Sequence, residues 1–371
     1  MPVLAEEVFA PVVDCFAGAG GLSLGLRDAG LTPVFAFDSD PYACKTYNLN
    51  LGDHSIQANA EVITPELIVA KTGIEPGGFA LVCGGPPCQG FSVQRRGDPV
   101  DSRNSLVVDF GQIAISLRPA MVLMENVPAF FGHRGEQERR TLLSNLRRAG
   151  YEYECKILNA ADFGVPQVRR RAFIVAWDPT RVADFQFPAP THSEGNYVTV
   201  RDALKGLPEP PDDYSEHSGF PNHRRVRISP INEKRISHVP AGGGRTDLPQ
   251  DLQLPCHRNS NGHRHLDVFG RMDWSKPAPT ITAMFDNFTR GRFAHPEEDR
   301  CITGREGARL QSFRDSFSFV GPKKDVARQI GNAVPPMLAA AVGRAIMGRL
   351  RSGVGGARRP QQMGLLQTIE R

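Results

Sequence analysis

No apolar run in the 371 residues is long enough to cross a bilayer, and no charged-then-apolar leader follows Met1. The chain therefore reads as a cytoplasmic protein with no membrane partner. Paired cysteines are also missing. The seven cysteines, Cys15, Cys44, Cys83, Cys88, Cys155, Cys256 and Cys301, are odd in number and form no CxxC, which argues against a disulfide framework. No internal repeat is present, which argues against a solenoid. Net charge is only +4 and by itself names no partner. What remains is an ordinary soluble composition, 40% hydrophobic and 23% charged, in a chain long enough for a sizeable core and two lobes.

The most constrained stretch is Gly84-Gly85-Pro86-Pro87-Cys88-Gln89-Gly90-Phe91-Ser92. Two glycines admit close approach of another backbone or a ligand, and two prolines fix φ and remove donors. Phe79-Ala80-Leu81-Val82-Cys83 before it reads as a buried strand, so Cys88 is expected just past a strand's carboxyl end, where open α/β sheets place their ligands.

Upstream, Pro11 to Phe16 is a short apolar run leading into Ala17-Gly18-Ala19-Gly20-Gly21 and then a helix whose Leu22, Leu26 and Ala29 face the sheet. Glycines at such a turn let helix-start N–H groups approach a cofactor, and the pattern serves nucleotides as readily as S-adenosylmethionine. The next strand, Pro33 to Phe37, ends at Asp38-Ser39-Asp40. Asp38 is placed to accept from ribose hydroxyls, and Asp40 before Pro41 suits a helix cap. A third strand lies around Ser55 to Ala58. A further one, Pro119 to Met124, ends at Glu125, an acid that is costly to bury without a purpose. Glu136 to Arg148 is an amphipathic helix with its arginines toward water. Tyr153 to Leu158 and Ala172 to Trp177 close the set. In Gln167-Val168-Arg169-Arg170-Arg171 between them, alternation sends Arg169 and Arg171 to one side, either into a site or onto a soluble edge.

Taken together, the loop at Cys88, the stretch Asp101 to Leu106, Gln167-x-Arg169-x-Arg171, Lys276 to Thr282, Thr303 to Phe313 and Gln329 to Pro336 resemble, in order, the motifs of the C5 DNA cytosine methyltransferases. The resemblance covers nearly the whole chain. It implies a Rossmann-like α/β methyltransferase sheet with helices on both faces, plus a smaller irregular target recognition domain. It also implies S-adenosyl-L-methionine as cofactor, S-adenosyl-L-homocysteine as product, and no metal. Cofactor contacts then fall on Phe16, Gly18, Ala19, Gly20, Gly21, Asp38, Asn59, Pro86, Leu106, Asn332 and Val334. Asp38 binds the ribose where the family usually has Glu. Asn59 stands at the adenine where the family usually has Asp. Leu106 packs on adenine or simply in the core, and Asn332 contacts the methionine end.

The chemistry implied is addition of the Cys88 thiolate to carbon 6 of cytosine while Glu125 shares a proton with N3. Carbon 5 then takes the methyl group. Arg171 holds the cytosine O2, and Arg169 supplies positive charge near the thiol. Carbon 6 is hidden in a duplex, so the base must flip out, with double-stranded DNA as partner and a monomer acting on it.

From about Thr199 the texture turns irregular and rich in Pro, Gly, His and Arg. The expected organisation is a catalytic lobe over 1–199 with 325–351, a recognition lobe and hinge over 200–324, and a mobile tail over 352–371. Between His223 and Arg245 lie Arg224, Arg225, Arg227, Lys234, Arg235 and Arg245 against the single acid Glu233, a balance that suits a phosphate backbone or a solvated basic face. Cys256, His257, His263 and His265 fit no closed zinc spacing, and phosphate or base contact suits them better. Arg314 replaces the proline common after the motif phenylalanine, so the lobe is expected to close differently there. Met337 to Leu350 should form a helix returning to the first lobe beside Phe16. The compact form resembles bacterial or phage modification enzymes, for which a companion restriction endonuclease is a natural partner. The alternatives are a methyltransferase of this fold acting on transfer RNA and a catalytically silent DNA-binding relative. Retention of Cys88, Glu125, Arg169 and Arg171 argues against the silent one.

Overall fold

Seven short apolar runs pair into one sheet in the computed structural model, which describes residues 9–87, 105–255 and 267–352. The strands are β1 (Pro11–Cys15), β2 (Thr32–Asp38), β3 (Ser55–Gln57), β4 (Leu81–Gly84), β5 (Met121–Asn126), β6 (Glu152–Asn159) and β7 (Arg170–Trp177). Their order is β3-β2-β1-β4-β5-β7-β6. All neighbours are parallel except β7, which runs antiparallel to both β5 and β6. The order reverses between β1 and β4, and side chains and loops at the carboxyl ends of these strands meet there.

Strands β1, β4, β5 and β7 alternate between two apolar layers, as a sheet covered on both faces requires. Val12, Leu81, Cys83, Leu123, Phe173 and Val175 face one layer with Leu22, Leu26, Leu338, Val342 and Ile346. Those residues come from helix α1 (Gly21–Asp28) and, far along the chain, from the closing helix α10 (Pro336–Ser352). Val13, Phe35, Phe37, Val82, Val122 and Met124 face the other layer with Val107, Phe110, Ile113 and Leu142 from α4 (Ser105–Leu117) and α5 (Glu136–Arg148). The returning helix thus packs on α1. Phe16, beside which the sequence placed it, belongs to the opposite layer and lies 5.2 Å from the Phe37 ring.

The connections follow their local chemistry. The helix α2 (Pro41–Leu51) starts on Asp40, whose carboxylate accepts from the Tyr42 and Ala43 N–H groups, with Pro41 at the first turn. Thr64 caps α3 (Pro65–Thr72) in the same way, and Gly73 ends it at φ 66°.

Between Trp177 and the closing helix, regular structure among the described residues thins to α6 (Val200–Leu204), α7 (Pro230–Ile236), α8 (Gly304–Leu310) and α9 (Lys323–Asn332), joined by turns and single 3-10 turns. Capping boxes at Thr199–Asp202 and Thr303–Glu306 set the starts of α6 and α8. One apolar cluster gathers Val200, Phe285, Phe313, Phe317, Phe319 and Ile330 with Ala19 and Leu24. A smaller one holds Ile236, Val239, Leu248, Phe269 and Phe288. Between them runs a buried ionic network. Arg300 donates to both oxygens of Glu306, at 2.8 Å each, and to Glu298 at 2.6 Å. Arg314 pairs with Asp28 at the end of α1, so the lobe is tied to the sheet by an exposed ion pair at this departure from the family pattern. Against the expectation that no run is long enough to cross a bilayer, Lys323–Ser352 passes by length and composition alone. However, 78% of its most apolar window is buried in the molecule, as for a core element.

Candidate active site

A cavity of about 360 Å³ opens at the carboxyl ends of β1, β2, β4 and β5. One wall is the turn from β1 into α1. Phe16 there adopts φ 58°, a conformation costly for a residue with a side chain, and Gly18 and Gly20 follow with φ 54° and 91°. Gly21 has no alternative: a Cβ on it would lie 2.4 Å from the Val334 carbonyl oxygen. The segment after α9 can therefore close over the turn only because that side chain is missing.

Asp38, at the end of β2, is oriented by the backbone. The Gly18 N–H donates to Oδ2 at 2.8 Å and the Asp40 N–H to Oδ1 at 2.9 Å. Burial raises its pKa, and these two hydrogen bonds partly offset the rise. Asp40, besides capping α2, accepts from Arg328 of α9 at 2.6 Å. Phe16, Gly18, Ala19, Gly21, Asp38, Pro86, Asn332 and Val334, all expected at a cofactor, line the same cavity. Gly20 does not, since its missing Cβ faces Tyr47 and Leu51. Asn59 and Leu106 are likewise not among the lining residues. Leu106 packs half-buried against the layer that holds Phe110.

Across the cavity stands Glu125, the acid at the end of β5, 9% exposed. Arg171 at the start of β7 meets it, Nε to Oε1, at 3.0 Å, because the antiparallel pairing of β5 with β7 brings the two chain ends together. Burial raises the Glu125 pKa, and the charges of Arg171 and Arg169 pull the other way. Its other oxygen overlooks the glycine-proline loop: a Cβ built on Gly85 would come within 3.3 Å of Oε2.

Alternation does send Arg169 inward with Arg171 and leaves Arg170 exposed. Both terminal nitrogens of Arg169 are nevertheless engaged within the fold, while its buried Nε forms no hydrogen bond. Arg169 donates to the carbonyls of Ile281 at 2.8 Å, Gly331 at 2.9 Å and Ala333 at 3.0 Å. Its guanidinium clasps two distant segments while its charge still acts on Glu125. Burial, with Arg171 beside it, lowers its pKa. Gln167 reinforces the clasp, donating to Leu310 O and Gln311 Oε1 and accepting from the Ile281 N–H.

Cys88 lies outside the described residues, as do Asp101 to Asn104, Cys256, His257, His263 and His265. The approach to Cys88 is visible: Pro86 and Pro87 line the cavity, and Asn126 Nδ2 donates to the Pro86 carbonyl at 3.2 Å. Asn126, Arg328 and Asp14 are site residues that sequence reasoning passed over. Asp14 sits inside an apolar strand, whereas Glu125 and Asp38, the acids that stood out, each close one. Of the basic cluster, Arg225 pairs with Asp212 and Glu298, Arg235 donates to Leu252 O, and Arg245 is buried. Arg227 and Lys234 are the exposed members. Among the described residues no group of His, Cys, Asp and Glu could hold a metal ion.

Residues 10–348 match the family model described as C-5 cytosine-specific DNA methylase. The chain belongs to that family. The methylase is 36% identical over 340 residues to the Type II methyltransferase M1.HphI of Haemophilus parahaemolyticus, covering 90% of this chain and 86% of that one. It is 33% identical to the Type II methylase M.HgiDII of Herpetosiphon aurantiacus, covering 90% and 94%. Among solved structures it resembles one described as a DNA modification methyltransferase encoded within a prophage of E. coli, with 27% identity and a TM-score of 0.69 over 92% of this chain and 99% of that one. The S. pombe Dnmt2 methyltransferase, at 19% identity and a TM-score of 0.57, shares the fold. The protein is thus a DNA cytosine C5-methyltransferase on a Rossmann-like sheet, of a family that takes its methyl group from S-adenosylmethionine. The pocket suits that donor: glycines of the β1–α1 turn line it, and its carboxylates suit ribose hydroxyls and a cationic ligand.

Proposed function

We propose that this chain methylates carbon 5 of a cytosine turned out of a specific duplex DNA site, with Cys88 as nucleophile and Glu125 as acid. One observation carries the reading. The buried Glu125–Arg171 pair faces the Gly85-Pro86-Pro87 loop that leads directly into Cys88, and opens onto the same cavity as Asp38 and the glycine turn. Phe16, Gly18, Ala19, Gly21, Asp38, Pro86, Asn332 and Val334 would hold S-adenosylmethionine there. Bound, it supplies an electrophilic methyl group on a sulfonium.

The chain's own residues do the rest. Carbon 5 is a weak nucleophile until the Cys88 thiolate adds at carbon 6 and Glu125 shares its proton with N3, which moves electron density to carbon 5. A carboxyl whose burial raises its pKa holds that proton to a higher pH than a free one does. Arg171, fixed against Glu125, offers its remaining donors to the cytosine O2. Loss of the carbon 5 proton and departure of the sulfur restore the ring. Arg169 positions the pair by clasping the segments around Ile281 and Gly331. Residues 200–324 would read the DNA, with Arg227 and Lys234 available to phosphates. The Type II names of the curated relatives favour a role in restriction-modification beside a companion endonuclease.

Duplex oligonucleotides bearing 5-fluorocytosine provide the test, since the fluorine cannot leave as a proton does. Incubated with protein and cofactor, they should remain attached through Cys88, as mapped by peptide mass spectrometry. Turnover on ordinary DNA with no adduct at that residue would overturn the assignment.

A further inference from the structure

Beneath the glycine turn lies a chain of buried side chains that the proposed chemistry does not use. Asp14 of β1 is fully buried and lines the cavity. Its Oδ2 accepts from the Ser23 hydroxyl of α1 at 2.6 Å. Ser23 in turn accepts from the Tyr47 hydroxyl of α2 at 2.9 Å, and Tyr47 meets Nε2 of half-buried His54 at 3.1 Å. Ser23 and Tyr47 are both fully buried. The Asp14 Oδ1 forms no hydrogen bond. The Cys83 thiol of β4, a weak donor, faces the carboxyl from the neighbouring strand. Asp38 of β2 acts on it as a like charge. Tyr47 and the Cys15 thiol also feel Asp14, and Arg27 and Asp53 act on His54.

A fully buried carboxyl, Asp14, and a half-buried one, Asp38, thus line one pocket, and no basic side chain is among the groups acting on Asp14. Such an arrangement is unfavourable while both are ionised and becomes favourable when a cation enters. The donor of the proposed reaction is a sulfonium, whereas its product is a neutral thioether.

We propose that Asp14 is a charge-reading residue of the cofactor pocket, ionising when the sulfonium donor binds and passing its proton through Ser23 and Tyr47 to His54 and solvent, so that donor is distinguished from product. The inference rests on the cofactor reading above. In the protonated state Asp14 donates to Ser23, Ser23 to Tyr47, and Tyr47 to Nε2 of a His54 that carries its proton on Nδ1. Each hydroxyl then accepts the proton behind it as it gives up its own, Nε2 gains one, and Nδ1 releases one to water. The carboxyl ends one proton poorer and the chain ends reversed, with every donor pointing toward Asp14. Burial, the largest influence on Asp14, raises its pKa to about 7, so both states are accessible near neutrality. Burial also lowers the His54 pKa, which keeps the imidazole neutral and able to exchange tautomers.

The test is calorimetric titration of the full chain at neutral pH with S-adenosylmethionine and with S-adenosylhomocysteine, in buffers of different ionisation enthalpy. It is paired with nitrogen NMR of histidine-labelled protein, His54 being assigned with His54→Gln. The donor should release a substantial fraction of a proton and the product less. Nε2 of His54 should change from acceptor to N–H only with the donor. Asp14→Asn should abolish the release, and Ser23→Ala should leave binding intact while His54 no longer changes tautomer. Binding of both ligands with equal proton release and an unchanged His54 would overturn the inference alone. Absence of heat with either ligand would overturn the cofactor reading and this inference together.

Discussion

A single carboxyl sets the alkaline limb of the pH profile expected of the reaction. Glu125 works as a proton donor to the ring, and burial lifts its pKa, so the protonated fraction, and with it the rate, falls as pH rises through that elevated value. Glu125→Gln should lower the rate by about 10²–10⁴-fold and flatten this alkaline limb, as read by methyl incorporation across pH. Asp14 makes a stability prediction in the absence of any ligand. Its folded pKa of about 7 lies above the ordinary 3.8, so between those values the folded chain holds a proton that the unfolded chain gives up. That contribution opposes folding at alkaline pH and fades toward acid. Asp14→Asn should therefore raise the melting temperature by a few degrees at about pH 8 and change it little at about pH 4. Glu125 and Asp38 were legible in the sequence because each is an acid closing an apolar run. Asp14 sits within one, where burial without an obvious partner gives no hint of Ser23 and Tyr47, brought in from two different helices.

At the level of elements, the crossing between the segment after Lys276 and the end of α9 is the tightest in the site. A Cβ on Gly331 would lie 2.2 Å from the Thr282 backbone, and Arg169 donates to the carbonyls on either side of this contact. Gly331→Ala should cost more than an ordinary helix substitution, since neither backbone can withdraw without breaking the Arg169 hydrogen bonds. Loss of activity together with a clearly lowered melting temperature is the expected result. Elements whose signals are local were readable in advance. The β1 turn, the Asp40 cap and the β6–β7 pair follow from glycine placement, capping chemistry and alternation. The middle of the chain was not readable, because its order comes from contacts distant in sequence. Arg271, for instance, reaches Ile236 O, Val239 O and His295 O. The basic cluster misled for the same reason: residue type does not reveal that Arg225 and Arg235 are occupied within the fold.

For the whole molecule, acid sensitivity should centre on the Arg300–Glu306 pair. Burial alone would raise the Glu306 pKa, but Arg300, with His295 and the Thr303 N–H, carries it down to about 2. A depressed carboxyl lends stability that is fully present above its ordinary 4.5 and lost as pH falls toward 2. Glu306→Gln leaves Arg300 buried without its main partner and should destabilise by about 3–5 kcal/mol at neutral pH. The difference from the parent should shrink near pH 2 in denaturant titrations. The Arg169 clasp has a further consequence. The chain leaves the sheet after Trp177 and returns to it at Pro336, and Arg169, just ahead of β7, grips that excursion at Ile281 and near its end at Ala333. None of the described residues between Thr199 and Asp273 takes an Arg169 hydrogen bond. A foreign stretch from a relative, grafted between these two residues, should therefore inherit an intact catalytic frame and bring its own sequence preference with it.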